Sequence, residues 1–335
     1  MDAALFMLDR IKPHLHIIQS TRLLHLTSFV ESPSVRKFFK VTKSDQLDPD
    51  ADLIYCQTYT DAGIQNLLLR TKSPVIVHIG GDVWYELEEL HHNPLLLERV
   101  QTLLENAGLV VCISKFLYDI ASSHLSHRRI TYLSGGCWGM DHTIIGIMPD
   151  RFPRRRLANK EIRRIVMQIS LTIPRKYAGI PVFFEAIESQ VEKLNFTCVG
   201  DTGGQEILVK KWSERYNINF VPLTEKWPEI LAMSDVFIHP SLFDTWGRSV
   251  AEAICAGVPT LTFPCGGIPE ISNEICFCDP ESATSISSQF GSLINNPEGM
   301  HQWGVVLRQE AAFKTERHRN DYAHLLFEFM NGSVN

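Results

Sequence analysis

The stretch "SDVFIHPSLFDTWGRSVAEAICAGVPTLTFP", residues 234–264, decides how the rest of the chain is read. "VFIH" is a short β-branched and aromatic run that stops at Pro240 and Ser241. "LFDTW" is loop. Gly247 then opens "GRSVAEAICAG", whose Gly257 fits a helix stop, and "VPTLTFP" returns to strand character. A strand, a helix-length segment and a second strand form a βαβ unit, which requires parallel strands. In open α/β sheets ligands bind outside the carboxyl ends of the strands, where loops run into helix N-termini. The loop before Arg248 is therefore the first place to look for chemistry.

Two acids flank that helix start. The backbone N–H groups of Gly247, Arg248 and Ser249 are predicted to face the crevice with the positive end of the helix dipole behind them, an anion site suited to a pyrophosphate. Asp244 precedes the site and is suited to accept hydrogen bonds from hydroxyls. Glu252, about one and a half turns into the helix, can face the same crevice and accept a second pair. One anion site between two hydroxyl acceptors describes a nucleotide sugar. A helix cap at Asp244 and a surface acid at Glu252 would explain the same residues equally well.

Outward from this unit the same alternation recurs. "HLHIIQS", "ADLIYCQ", "PVIVHIGG", "AGLVVCIS" and "RITYLS" read as strands in the first half, with helical spacing between them, as in residues 93–106, "NPLLLERVQTLLEN". "RRIVMQIS", "FTCVGD", "INFVPL", "SDVFIHPS", "VPTLTFP" and "ICFCDP" form a second series. Two series imply two doubly wound α/β domains. Residues 149–164, "PDRFPRRRLANKEIRR", are rich in proline and arginine and poor in apolar residues, as expected of an interdomain connection. The resulting division is 1–150 for an N-terminal domain, 151–163 for the linker, 164–312 for a C-terminal domain and 313–335 for a C-terminal helix expected to pack back toward the N-terminal domain.

The 335 residues are 44% hydrophobic and 21% charged, enough for two sizeable cores. A net charge of −6 gives no global attraction to nucleic acid. No apolar run approaches the roughly 20 residues that span a bilayer, and the opening residues lack the order of a signal peptide. The expectation is a cytoplasmic protein, open to peripheral contact with a membrane. The eight cysteines show neither Cys-x-x-Cys nor Cys/His metal spacing, so they read as thiols and no metal is expected.

"HPSLFDTWGRSVAEAICAGVPTLTFPCGGIPEI" resembles the signature of the retaining glycosyltransferases of glycosyltransferase family 4. A Pro-Ser turn, an acid-x7-acid pair, "EA-x-x-x-G-x-P" and "GG-x-x-E" occur in the family's order and spacing. The resemblance implies the GT-B fold, in which two Rossmann-like domains face a central cleft. It implies that Asp244 contacts the donor sugar, that Trp246, Gly247 and Arg248 meet the pyrophosphate, and that Glu252 binds the ribose. The family usually has glutamate at the first position, and Asp244 is one methylene shorter.

Further matches lie upstream. "FTCVGDTGG" looks like the family's strand-end loop, with Gly200, Asp201, Gly203 and Gly204 approaching the donor. "INFVPLTEKWPEIL" is similar to the segment whose backbone, here Val221, Pro222 and Leu223, faces the nucleobase. Gly266 and Gly267 are expected to bring another helix N-terminus near the phosphates or sugar. Ser170 stands where the family carries an arginine, leaving Arg175 and Lys176 as cations to stabilise the departing nucleotide without metal. His78, at a strand end beside Gly80, Gly81 and Asp82, resembles a histidine that approaches the donor sugar. "ALFMLDRIKPHLHIIQS" looks like the family's first helix and second strand, so the first β-α unit is expected to be missing or remodelled.

These readings converge on a retaining hexosyltransferase that uses a UDP- or GDP-sugar, needs no cofactor, and acts on a glycan, lipid or small-molecule acceptor. Two alternatives remain open at this point: a nucleotide-sugar 2-epimerase of the same fold, and a non-catalytic nucleotide-sugar-binding partner.

Overall fold

The computed structural model describes residues 12–18, 36, 38–46, 48, 50–57, 59–126, 129–133, 162, 164–192 and 194–332. The chain divides into two compact units, one of Met1–Gly146 with Lys314–Asn335 and the other of Ile147–Phe313. Apart from Ile162, the expected linker at 151–163 lies outside the described residues, as do the opening residues 1–11 and residues 134–150.

The first unit holds a six-stranded sheet. Its strands are β1 (His14–Ile18), β2 (Lys40–Ser44), β3 (Leu53–Cys56), β4 (Val75–Ile79), β5 (Leu109–Cys112) and β6 (Ile130–Tyr132). All pair in parallel in the order β2-β1-β3-β4-β5-β6. β3, β4 and β5 are buried along their whole length, which is why they read as continuous apolar runs. β2, "KVTKS", is a partly exposed edge strand with a single aliphatic residue, and sequence periodicity gives no sign of it. Helices α1 (Ala62–Leu68), α2 (Pro94–Asn106) and α3 (Lys115–His124) are capped by the side chains of Asp61, Asn93 and Ser114. Pro94 sits in the first turn of α2, where its missing N–H is no loss.

The second unit is built on β7 (Arg164–Gln168), β8 (Asn195–Val199), β9 (Ile218–Val221), β10 (Val236–His239), β11 (Thr260–Thr262) and β12 (Cys276–Phe277). The order is β12-β11-β10-β7-β8-β9, again all parallel. The chain winds one way from β7 to β9 and the other way from β10 to β12, so the direction reverses between β7 and β10, where such sheets open a crevice. Helices α4 (Pro174–Tyr177), α5 (Gly179–Ala186), α6 (Glu206–Tyr216), α7 (Trp227–Ala232) and α8 (Arg248–Ala256) connect the strands, and α9 (Ala283–Ile294) follows the last of them. The core centres on Phe183, Phe184, Phe196 and Phe290, packed edge to face with centroids 4.9 to 5.7 Å apart. Edge-to-face contacts let the positive ring edge meet the negative ring face.

One helix, α10 (Pro297–Met330), contains residues 313–330 of the expected C-terminal segment, whose last three residues lie outside the described ones. Its residues through Phe313 belong to the second unit and those from Lys314 to the first, where Tyr322, Ala323 and Leu326 join Leu15, Ile17, Leu53 and Ile76 in the core. The cysteines of the described residues form no disulfide, and Cys137 lies outside them. No helix among the described residues is long and apolar enough to cross a membrane.

The junction that positions the site is the contact of α5 with the end of β10. A Cβ on Gly179 would lie 2.1 Å from the Pro240 carbonyl oxygen and 2.9 Å from the Phe263 ring, so only glycine lets the helix approach the strand this closely. Gly179→Ala should lower the stability of the second unit by about 2 kcal/mol, the usual range for overpacking against backbone. Urea unfolding followed by tryptophan fluorescence checks this, and an unchanged midpoint would mean that α5 shifts without penalty.

Candidate active site

Because all strands of the second unit are parallel, the loops after β7, β8, β9, β10 and β11 leave from one edge of the sheet. These loops and the helix starts they lead into carry most of the second unit's candidates, while Val221 ends β9 and Glu252 lies within α8. Arg175 and Lys176 follow β7, Gly200 and Asp201 follow β8, Pro222 and Leu223 follow Val221 at the end of β9, Asp244 to Arg248 follow β10, and Gly266 and Gly267 follow β11.

The site grows from the end of β10. His239 is its last residue, and Pro240, lacking an amide hydrogen, ends the ladder. The Ser241 hydroxyl donates to the Phe243 carbonyl at 2.7 Å and closes a turn. Asp244 follows, almost fully buried. Its Oδ1 accepts the amide hydrogens of Trp246 at 3.3 Å and Gly247 at 3.0 Å. Gly247 then enters α8 from a left-handed conformation. The Gly247 amide, expected to be open to an anion, is thus taken by Asp244. The open donors begin one step further in, since the first-turn amides of Ser249 and Val250 have no intrahelical acceptor.

Asp244 is also gripped by its main chain. Gly266 has φ +55°, and a Cβ there would fall 1.7 Å from the Asp244 carbonyl oxygen. The Gly267 amide donates to that oxygen at 3.1 Å. The expected second helix N-terminus at this glycine pair is only a three-residue turn, Ile268–Glu270. Gly266 and Gly267 fold back onto the Asp244 backbone, which uses the amide that an anion would have taken.

A lysine and a histidine face the other carboxylate oxygen. Lys176 Nζ and His239 Nε2 each lie 3.5 Å from Asp244 Oδ2. Burial pushes the carboxyl upward, but Lys176, His239 and the Trp246 amide outweigh it and hold Asp244 well below the usual carboxylate range. Asp244 is therefore an anion at any physiological pH. His239 Nδ1 is 3.4 Å from the Ser249 hydroxyl, and its ring stacks on Phe237. Arg175 lies with its guanidinium 5.4 Å from the centre of the Phe243 ring.

Glu252 is 2% exposed, which removes the surface-acid alternative. Its Oε2 accepts the indole N–H of Trp227 at 2.7 Å, and Arg248 Nε stands 3.6 Å from Oε1. Burial raises its pKa, opposed in part by Arg248 and Trp227. The Trp246 indole is buried as well, and its Nε1 has no acceptor among the described residues.

The β8 loop is held by the end of β9 and by the Asp201 side chain. The Gly200 amide donates to the Val221 carbonyl at 3.0 Å, and Asp201 Oδ1 accepts from the Gly203 amide at 3.0 Å. Pro222 and Leu223 are exposed beside it. His78 belongs to the first unit, on β4, buried against Tyr55 and Tyr322. The Gln57 amide nitrogen is 3.0 Å from Nδ1 and can only donate, so the ring proton sits on Nε2. Burial, assisted by His318, pushes the imidazole down to about 3 and keeps it neutral.

Sequence reading did not single out His239 or Trp227. The signal for the first is a histidine at the last position of a buried strand, before a proline. For the second it is a tryptophan in a helix start whose polar indole tip needs an acceptor when buried.

Residues 163–296 match the family model described as Glycosyl transferases group 1. The lipopolysaccharide glucosyltransferase WaaG of Escherichia coli (strain K12) is 28% identical over 182 residues, covering 49% of this chain and 44% of that protein. The N-acetyl-alpha-D-glucosaminyl L-malate synthase of Bacillus anthracis is 25% identical over 133 residues, covering 38% and 35%. The chain thus spans less than half the length of these curated relatives. Anabaena HepE in complex with UDP-glucose superposes with a TM-score of 0.68 at 15% identity, covering 97% of this chain and 93% of that one. Residues 163–296 thus match the group 1 glycosyltransferase family, and the chain has the GT-B fold.

Proposed function

We propose that the chain is a retaining glycosyltransferase that moves a hexose from a UDP-sugar to a glycan, lipid or small-molecule acceptor. The observation that carries this reading is the ionised Asp244 joined to Lys176 at 3.5 Å beside the first turn of α8, with the buried Glu252 further along the same helix.

In this reading the open amides of α8, with Lys176 and Arg175, hold the diphosphate and stabilise the charge that grows on it as the sugar leaves. Glu252 accepts the ribose hydroxyls, oriented by Trp227. Asp244 accepts a hydroxyl of the transferred sugar, and its short side chain restricts which hexoses reach it. The leaving phosphate assists deprotonation of the acceptor hydroxyl on the same face of the sugar, so no protein nucleophile is required. Positioning and electrostatic stabilisation are the protein's contribution. UDP is favoured over GDP because HepE was solved with UDP and with UDP-glucose. WaaG, a lipopolysaccharide glucosyltransferase, makes a glycan the first acceptor to test.

Incubation with UDP-glucose and an acceptor panel tests the activity. Isomerised sugar on intact nucleotide would replace the transferase reading with an epimerase. Tight UDP binding without transfer or hydrolysis of any donor would leave a binding protein.

Asp244→Asn should reduce turnover by about 100-fold, the usual loss when one stabilising contact of a polar active site is removed. Its affinity for free UDP by calorimetry should change little. A loss of UDP binding equal to the loss of turnover would remove the assignment of Asp244 to the sugar.

Glu252→Gln separates stability from function. A carboxyl whose folded pKa is raised destabilises the fold above that pKa, and the penalty fades as pH falls through it. The variant should melt higher than the parent at pH 8, with the difference shrinking toward acid pH. It should also bind UDP about tenfold more weakly, in line with a lost hydrogen bond to a charged group. Unchanged UDP affinity would remove the ribose role of Glu252.

A further inference from the structure

We propose that His14, His16 and Asp48 form a binding site for one zinc ion in the first unit. His14 and His16 stand two apart on β1, so both side chains leave the same face of the strand. One ligand atom from each of His14, His16 and Asp48 falls within 4.8 Å of the others, and His14 Nε2 is 3.7 Å from Asp48 Oδ2.

The surroundings fix these groups as a metal site requires. His16 is 2% exposed, and its Nε2 lies 2.8 Å from the Gln46 carbonyl. A carbonyl only accepts, so Nε2 carries the proton and the Nδ1 lone pair faces the cluster. A histidine that donates its far N–H to a backbone carbonyl is the usual second contact of a metal-bound imidazole. The Gln46 carbonyl also accepts from the Ser44 hydroxyl at 2.8 Å, and the Gln46 amide donates back to Ser44 at 3.1 Å. Asp48 Oδ1 accepts the Asp50 amide at 3.0 Å, leaving Oδ2 for His14. The His14 backbone is anchored in turn by its amide, which donates to Asp52 Oδ2 at 2.7 Å.

The Thr42 hydroxyl oxygen lies 2.6 Å from His14 Nε2 and 2.9 Å from His16 Nδ1. This hydroxyl, on the neighbouring strand, thus stands beside both ring nitrogens that would ligate the ion. Two imidazoles and one carboxylate suit zinc, with water or the Thr42 hydroxyl as the fourth ligand. Binding needs the Thr42 hydroxyl to turn its proton away from His16. It also needs His14 to carry its ring proton on Nδ1. The bound ion would tie β1 and β2 to the turn at Asp48.

The test is titration of the full chain, stripped with chelator, with zinc chloride by calorimetry, together with thermal melting and the visible spectrum of the cobalt-substituted protein. One ion per chain, a raised melting temperature and tetrahedral cobalt absorption are expected. His14→Gln with Asp48→Asn should abolish all three while leaving circular dichroism unchanged. His91→Gln with His92→Gln, two exposed histidines elsewhere, should leave them intact. His16→Ala is avoided because it would empty a fully buried position. The absence of zinc binding in the parent, or binding retained in the His14/Asp48 variant, which would make the ion adventitious, overturns the proposal.

Discussion

The second unit is organised around one buried negative charge. A carboxylate removed from water is tolerated only when donors and opposite charge replace its hydration. Asp244 receives two backbone amides on one oxygen and Lys176 with His239 on the other. Each partner arrives on a different segment. Lys176 depends on α4 and on the close approach of Gly179 to β10, His239 on the parallel pairing of β10 with β7, and the Asp244 carbonyl on the fold-back of Gly266 and Gly267. An error in any of these segments would leave a charge unmatched, so the geometry of the candidate site and the packing of the unit constrain one another.

Much of this was legible in the linear chain, and the limits have physical causes. The buried strands announce themselves because parallel strands covered on both faces are continuous apolar runs, and the turn at Pro240 and Gly257 punctuates α8. β2 escaped because an edge strand needs no apolar pattern. The spacing of Asp244 and Glu252 points to the site because both belong to one local unit. Their partners Lys176 and Trp227 are supplied by other segments, and no local pattern states that an indole will find a particular carboxylate. The Gly247 amide shows a further limit. Helix geometry alone leaves it open, and only the turn at Ser241 brings the Asp244 side chain back to occupy it.

The same reasoning explains why the histidine cluster of the first unit is invisible to a search for cysteine and histidine spacings. Such spacings describe loops and helices, whereas His14-Leu15-His16 is a strand pair with period two. Its third member, Asp48, is fixed by a turn that follows a strand the periodicity does not reveal.

Helix α10 has a consequence for the order of events during synthesis. The second unit is one uninterrupted stretch, Ile147–Phe313, but the core of the first is closed by Tyr322, Ala323 and Leu326. A ribosome that has made every strand of the first unit has not yet made the side chains that cover them. The N-terminal sheet must wait, partly uncovered, while the later domain is translated and free to fold. The sheet of the first unit is thus completed only after the second unit has been translated, although its strands are made before it.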